Sequence, residues 1–332
     1  MPKINEYDYL HIAARIHAME GHMLTRERTE RMLDARTAEE AAKVLTECGY
    51  EDLTSLTPTA IEHMLTTARQ GFFADLRKSA PDPGIVDVFC MKYDYHNAKA
   101  ILKAEAMSQD PAPLLIDAGR YPVALLQEDY AKEDLRHQSE IFRGAVTKAK
   151  EVLALTGDPQ ASDFVLDTAY FEELLEAAKA ANSPFLMGYV RLLIDATNLR
   201  TAVRAARMGQ ELPFLQQVLV PGGSIPTEPV AQAATGTGDL AARYSRTPLE
   251  AAAAAGVRAL AGGSLTEFER LCDDAVTGYL LQAKRIAFGE HPLIGYLYAR
   301  EAELTTIRVI LSGRMAGLET DTIRERLREA YV

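Results

Sequence analysis

The chain has 332 residues, of which 48% are hydrophobic and 25% charged, and a formal net charge of −11. This is a globular composition, long enough for two or three domains or a set of repeats. The acidic excess argues against nonspecific nucleic-acid binding and against adhesion to anionic lipid, both of which need surplus Lys and Arg. Three cysteines, Cys48, Cys90 and Cys272, are too sparse for a disulfide framework and suit a reducing cytoplasm. The absence of an apolar run long enough to cross a bilayer, or of a signal-peptide core, predicts that any membrane association goes through a partner.

Helix is predicted almost everywhere, because Ala, Leu, Glu and Arg dominate and β-branched runs are rare. Thr-x-x-Glu capping boxes predict helix starts at Thr37 and Thr247, and Gly49 predicts the end of the first of these helices. Loops rich in Gly, Pro and small polar residues are predicted at 108–113, 219–229 and 235–238.

Three predicted helices share one frame, DPGIVDVFCMKYDYHNAK, SPFLMGYVRLLIDATNLR and HPLIGYLYAREAELTTIR. Proline fits the first helical turn, and the residues before it are the predicted N-caps, namely Asp82, Ser183 and His291. Each copy has an apolar stripe, an acid eleven residues after the proline and a base sixteen after it: Asp94 and Lys99, Asp195 and Arg200, Glu303 and Arg308. Acid and base lie roughly 140° apart around the helix, so each is expected to reach a neighbouring helix.

The prolines Pro83, Pro184 and Pro292 are 101 and 108 residues apart, about one small domain. The segments IEHML, FEELL and FERLC extend the match upstream of each proline. We therefore predict an all-α fold of three pseudo-equivalent helical-bundle units at 1–118, 119–222 and 223–332. The alternative is that three generic amphipathic helices resemble one another. The six charged residues are interpreted as ties between helices, and contact with a partner is the alternative.

The sequence contains only weak matches to nucleotide-binding, catalytic and metal-binding motifs. The GxGxxA match at 236–241 follows no strand pattern, and neither a P-loop nor GxSxG occurs. There is no HExxH, the histidines of 11–22 do not share a helical face, and Glu133 with His137 is interpreted as a surface pair. Three copies of one acid–base pattern argue against an active site. The sequence thus predicts no catalytic residue, no cofactor and no metal site.

The family resemblance rests on D-x-x-N-Φ-(K/R) at 94–99 and 195–200, and on E-x-x-x-x-R-x-I-x-x-G-(K/R) at 303–314. In this order and spacing, over nearly the whole chain, these motifs resemble the C subunit of the V/A-type rotary ATPases, whose eukaryotic counterpart is the d subunit. One departure is Thr306, which stands where the other copies have Asn97 and Asn198.

The resemblance implies a funnel of three domains on the cytoplasmic face of the membrane rotor ring. Its mouth would receive the shaft built from the D and F subunits, and the chain would pass torque without catalysing a reaction. The implied partners are D, F and the ring subunits, with no nucleic acid and with membrane contact only through the ring. The net charge suggests an acidic interior that favours a basic shaft end. Without the resemblance, an all-α scaffold of another assembly, or a helical enzyme with an unrecognised site, fits the same residues.

Overall fold

The computed structural model describes residues 4–53 and 55–331, and every regular element in that part of the chain is a helix. The prediction of an all-α fold is confirmed. The α-helices are α1 (Leu10–Glu20), α2 (Arg26–Asp34), α3 (Ala38–Lys43), α4 (Pro58–Ser79), α5 (Pro83–Ala106), α6 (Val123–Ala131), α7 (Glu140–Thr156), α8 (Pro159–Ala180), α9 (Pro184–Arg207), α10 (Leu212–Val218), α11 (Thr227–Ala234), α12 (Leu240–Arg243), α13 (Glu250–Leu260), α14 (Leu265–Leu280), α15 (His291–Met315) and α16 (Thr320–Arg324). Short 3-10 helices cover Glu6–Tyr9, Val44–Cys48, Ala112–Leu114 and Leu281–Arg285.

The chain divides into two compact units. The smaller unit is Gln70–Met187, and the larger unit combines Met1–Arg69 with Gly188–Val332. The boundaries fall within α4 and α9. The assignment of three repeat units at 1–118, 119–222 and 223–332 stays a prediction.

The three proline-led helices begin close to the predicted positions. Asp82 is the N-cap of α5 and accepts a hydrogen bond from the backbone N–H of Gly84. The hydroxyl of Ser183 accepts from the N–H of Leu186. The predicted N-cap at His291 is wrong, because α15 begins one residue earlier with Glu290 at the N-cap, whose carbonyl already accepts from the N–H of Ile294.

The capping boxes and loops are partly as predicted. Thr37 caps α3 through the N–H of Glu40, and Gly49 ends the following 3-10 helix in the left-handed region at φ 80°. The predicted start at Thr247 is wrong. Its hydroxyl donates to the carbonyl of Tyr244 in a preceding turn, and Leu249 is the N-cap of α13. The predicted loop 219–229 extends too far toward the C-terminus, since α11 already begins at Thr227.

The proline-led helices lie inside the cores. In the smaller unit α5 packs against α7 and α8 and is buried around most of its circumference. The rings of Tyr95 and Phe142 meet edge to face there, 5.1 Å apart. In the larger unit α15 packs against α1 and α3, and Phe268 of α14 is fully buried. A helix buried on several faces exposes its polar side chains to an apolar interior, so each of them needs a hydrogen-bonding partner.

Candidate functional site

The first polar cluster lies in the smaller unit, where the fully buried Asp94 of α5 holds the loop that follows the helix. Its Oδ1 accepts from the backbone N–H of Arg120 at 2.9 Å and of Tyr121 at 3.3 Å, and its Oδ2 accepts from Nε of Arg120 at 2.6 Å. A Cβ on Gly119 would lie 2.1 Å from Oδ1 of Asp94. Glycine is therefore the residue that lets the loop approach the carboxylate.

Asn97, one turn further along α5, binds the same loop with both ends of its amide. Its Nδ2 donates to the carbonyl of Ile116 at 2.9 Å, and the N–H of Ile116 donates to its Oδ1 at 2.8 Å. Asn97 is fully buried, so this pairing satisfies the amide and the loop backbone together.

The larger unit repeats this arrangement on α9. Oδ2 of Asp195 accepts from the N–H of Ser224 at 3.0 Å, and its Oδ1 accepts from the N–H of Ile225 at 3.1 Å. Asn198 exchanges two hydrogen bonds with the backbone of Val220, at 2.7 and 2.8 Å. A Cβ on Gly223 would lie 2.1 Å from Oδ1 of Asp195, the same clearance as at Gly119. The Asp-x-x-Asn motif and a glycine in the following loop thus form one anchor that occurs twice.

The third copy, on α15, finds its partner at the other end of the chain. Glu303 is buried, and its Oε2 accepts from the backbone N–H of Leu24 at 2.9 Å. Its Oε1 accepts from Arg300 at 2.7 Å and from the hydroxyl of Tyr50. The N-terminal segment therefore takes the place that the following loop has in the other two copies. Thr306 stands at the asparagine position.

Charges around the first anchor shift the pKa of its acids. Burial raises the pKa of Asp94 to about 6, against the opposing effect of Arg120. The guanidinium of Arg120 also binds both carboxylate oxygens of Glu173, at 2.7 and 3.2 Å. Burial alone would raise the pKa of Glu173, but the hydrogen bonds and charge of Arg120 lower it. In the second anchor burial raises the pKa of Asp195, against the two backbone N–H groups.

The bases of the repeated frame form ion pairs with other helices. Each base binds a helix that precedes a proline-led helix in the chain. The base on α5 binds α8, which precedes α9, and the base on α9 binds α14, which precedes α15. The base on α15 binds α4, which precedes α5. The three pairs are Lys99 with Asp167 of α8, Arg200 with Asp273 of α14, and Arg308 with Glu62 of α4. One turn further along, a second pair repeats in two copies, Lys103 with Asp163 and Arg204 with Glu269. All of these pairs are partly exposed.

The structure thus places the six predicted residues in two classes. The acids at positions 94, 195 and 303 bind backbone N–H groups of non-helical segments, whereas the bases at 99, 200 and 308 bind neighbouring helices. Sequence reasoning singled out the asparagines only as part of a motif and missed the glycines Gly119 and Gly223. The sequence signal that could have identified these glycines is their similar spacing from the aspartates, 25 residues after Asp94 and 28 residues after Asp195.

The weaker motifs give no site in the part of the chain that the structure describes. No group of three His, Cys, Asp or Glu residues there could hold a metal ion. Glu133 and His137 do not pair with each other, since Glu133 binds Lys150 and His137 binds Asp129. All three cysteines are buried. None of the helices in residues 4–53 and 55–331 is long and apolar enough to span a membrane.

In the part of the chain that the structure describes, every regular element is helical and one form of buried loop anchor occurs on both α5 and α9. A family model described as ATP synthase (C/AC39) subunit matches residues 12–326, so the chain belongs to that family. Among similar proteins, the C subunit of the V-type sodium ATPase of Enterococcus hirae is 23% identical over 98% of this chain and 99% of its own length. The C subunit of the A-type ATP synthase of Desulfurococcus sp. is 23% identical over 97% of this chain and 91% of its own. That of Thermococcus kodakarensis is 24% identical, over 97% and 90%.

The family membership confirms the resemblance seen in the sequence. The chain is a subunit of a V/A-type rotary ATPase, and the C subunit is a structural rather than a catalytic part of that complex. Its anchors and ion pairs are therefore interpreted as parts of a framework.

Proposed function

We propose that this chain is the central-stalk adaptor of its ATPase, which couples the shaft of D and F subunits to the membrane rotor ring. In this role it lies at the cytoplasmic face of the membrane as a peripheral subunit. It transmits torque between ATP turnover and ion translocation. The funnel of three helical units is part of the same proposal.

The observation that carries the proposal is the extent of the family match. It begins at residue 12 and ends at residue 326, and the related C subunits are covered over nine-tenths or more of their length. The chain therefore matches those relatives over most of their length, rather than over one shared domain.

The anchors support a mechanical role. A torque coupler has to resist deformation, and closely packed helices are stiff. Loops are ordinarily the softest parts of a helical protein. Here Asn97 and Asn198 each bind both hydrogen-bonding groups of one loop residue, and Asp94 and Asp195 bind two further N–H groups each. These loops are consequently held by the helices that would carry the load.

The test is binding of the purified chain to the D–F shaft of its own organism, measured by calorimetry at low and high salt. One-to-one binding that weakens with salt is expected, because the chain carries a net charge of −11 and salt screens its attraction to a basic shaft end. Salt-insensitive binding would retain the adaptor and assign the affinity to apolar contacts.

A second arm separates the adaptor from a scaffold of another assembly. The same titration is repeated with the chain bound to detergent-solubilised rotor ring. An adaptor binds the shaft in at least one of the two states and the ring in the absence of the shaft. Failure to bind the shaft in both states would refute the proposal.

A further inference from the structure

The segment Leu327–Tyr331, which we call the strap, follows α16 and lies against α14 and α15 without forming a helix or a strand. It belongs to the larger unit. The family match ends at residue 326, directly before the strap. The family resemblance thus assigns no role to the strap.

Two adjacent aspartates of α14 divide their carboxylate oxygens between the helices and the strap. Asp273 accepts with Oδ1 from Arg200 of α9 and with Oδ2 from Nε of Arg328, the latter at 2.7 Å. Asp274 accepts with Oδ2 from the arginine one turn earlier in α14, at 3.0 Å, and with Oδ1 from the backbone N–H of Glu329, at 2.9 Å. Each aspartate therefore has an arginine of the helices beside its charge and presents its second oxygen to the strap.

The ring of Tyr331 fills a slot at the start of α15, where only 5% of the residue is exposed. A Cβ on Gly295 would lie 2.2 Å from the hydroxyl oxygen of Tyr331, so glycine is the residue that leaves room for the ring. Lys284 donates from Nζ to the carbonyl of Tyr331 at 2.8 Å and lies over the ring, 5.1 Å from its centroid. The slot thus binds an aromatic side chain by shape and by a cation, and the carbonyl beside it by a hydrogen bond.

An equivalent slot on α9 is filled from within the core. Gly188 lies four residues after Pro184, and Gly295 lies three residues after Pro292. A Cβ on Gly188 would lie 2.1 Å from the hydroxyl oxygen of Tyr279, a residue of α14. Glycine is unfavourable inside a helix unless another group approaches closely, and at both positions that group is a tyrosine hydroxyl. The slot on α9 has an occupant from a packed helix, whereas the slot on α15 is filled by a short irregular segment.

We infer that these groups of α14, α15 and Lys284 form a peptide-binding site, which the strap occupies in cis and from which it can be released. The ligand that fits is an extended segment with an arginine three residues before a tyrosine. Arg328 and Tyr331 make the side-chain contacts, and Glu329 is bound through its backbone N–H. A partner segment with this pattern would bind only by displacing the strap. This property is additional to the proposed adaptor function and does not depend on it.

The strap also covers the third anchor. A cavity of about 40 Å³ beneath it is lined by the strap, by Leu24 of the N-terminal segment, and by Glu303 and Thr306 of α15. The hydrogen bond from the backbone N–H of Leu24 to Glu303 is buried beside this cavity. Release of the strap gives solvent access to that bond, so the occupied site protects the joint between the N-terminal segment and α15.

Fluorescence anisotropy of a dye-labelled peptide with the sequence of residues 325–331 measures the site directly. Two hosts are used, a chain that ends at Arg326 and the full chain with Arg328→Ala and Tyr331→Ala, so that the test does not depend on the folding of one of them. The peptide is expected to bind both hosts and to bind the parent chain at least about tenfold more weakly. The reason is that a tethered strap competes at an effective concentration in the millimolar range. No binding to hosts that melt cooperatively, or equal binding to hosts and parent, would overturn the inference.

Substituted peptides test the pattern of the ligand. Tyr331→Ala in the peptide should weaken binding at least about tenfold, because the burial of an aromatic side chain is lost. Arg328→Ala should weaken it about threefold, as expected for a partly exposed ion pair. Glu329→Gln is the matched control, since that side chain is exposed and the backbone N–H makes the contact, and it should leave the affinity unchanged. If the Tyr331→Ala peptide binds as tightly as this control, the slot does not recognise the ligand and the inference is wrong.

Amide hydrogen exchange tests release of the strap in the full chain. The N–H of Leu24 is expected to exchange at least about tenfold faster in the double variant than in the parent, and added peptide should slow it again. The N–H of Ser224 is the control, because it binds Asp195 in the same unit and lines no part of the cavity beneath the strap. Equal acceleration at both amides would show general destabilisation and would contradict the protection assigned to the strap. Neither assay contains the shaft or the ring, so failure here leaves the proposed adaptor function standing.

Discussion

Gly223→Ala tests the anchor on α9 through the smallest side chain that can be added. The new Cβ would lie 2.1 Å from Oδ1 and 3.0 Å from Cγ of Asp195, inside any normal contact distance. Either the loop or the carboxylate has to move by about 1 Å, since carbon contacts are optimal at about 3.5 Å. That movement removes the hydrogen bonds from the N–H groups of Ser224 and Ile225. Hydrogen bonds to a charged acceptor contribute about 1.5–3 kcal/mol each, so the loss of both is expected to cost about 3–6 kcal/mol.

Thermal unfolding followed by circular dichroism measures this loss. For a unit of this size it corresponds to a fall in Tm of about 10 °C. Gly278→Ala is the matched control in the same unit, because nothing lies within 4 Å of its Cβ position in α14. A helical glycine with free space at its Cβ position should gain about 0.5–1 kcal/mol when it is replaced by alanine. If the two variants melt alike, the carboxylate does not hold the loop energetically and the anchor is only a geometric coincidence.

Three further predictions concern the same framework. Arg200→Ala should lower the free energy of unfolding by about 0.5–1 kcal/mol, as expected for a partly exposed pair with Asp273, and leave shaft affinity unchanged. Normal melting with lost shaft or ring binding would instead make Arg200 a contact residue. Asn198→Ala leaves the buried N–H and carbonyl of Val220 unpaired and should cost about 2–4 kcal/mol in chemical denaturation, whereas a cost below about 1 kcal/mol would contradict the pairing. Burial raises the pKa of Asp94 from 3.8 to about 6, so its contribution to stability is complete below pH 3.8 and is lost as the pH rises through about 6. Carboxyl 13C titration should show that midpoint, and a midpoint below 3.8 would reverse the sign.

The helices were predictable because their signals are local. A capping residue, a proline at the first helical position and an apolar stripe lie within one segment of chain, and they located α5 and α9. The start at Thr247 failed because Thr-x-x-Glu also suits a turn, and the hydroxyl of Thr247 there closes the turn at Tyr244.

The anchors were not predictable because their partners are distant in sequence. Asp94 and Arg120 are 26 residues apart, and Leu24 and Glu303 are 279 apart. Nothing near Glu303 indicates that the N-terminal segment will meet it. A clue was nevertheless present, since an Asp-x-x-Asn motif inside an otherwise apolar helix requires hydrogen-bonding partners wherever the helix is buried.

The predicted match between the upstream segments FEELL and FERLC does not align equivalent helical turns. The ion pairs make Asp167 and Asp273 equivalent, since both bind the base sixteen residues after a proline. Asp273 directly follows FERLC, whereas Asp167 precedes FEELL by four residues. The form apolar-Glu-x-apolar-apolar recurs at nearly every turn of an amphipathic helix, so it fixes the face of the helix but not the turn.

The hydrogen bonds of Glu303 join the N-terminal segment to α15, although the two are far apart in the sequence. A buried carboxylate loses its hydration, and it stabilises a fold only when its hydrogen bonds are complete. Glu303 completes them with Leu24, Tyr50 and Arg300, of which the first two come from the N-terminal segment. Release of that segment would leave the buried Glu303 carboxylate with Arg300 as its partner and without the hydrogen bonds from Leu24 and Tyr50, so the segment and α15 are expected to unfold as one cooperative body. In the other copies a loop directly downstream supplies these bonds, and opening stays local. The acid of the frame thus binds the loop that follows its own helix in two copies and the distant N-terminal segment in the third, so that segment is bound to α15 through Glu303.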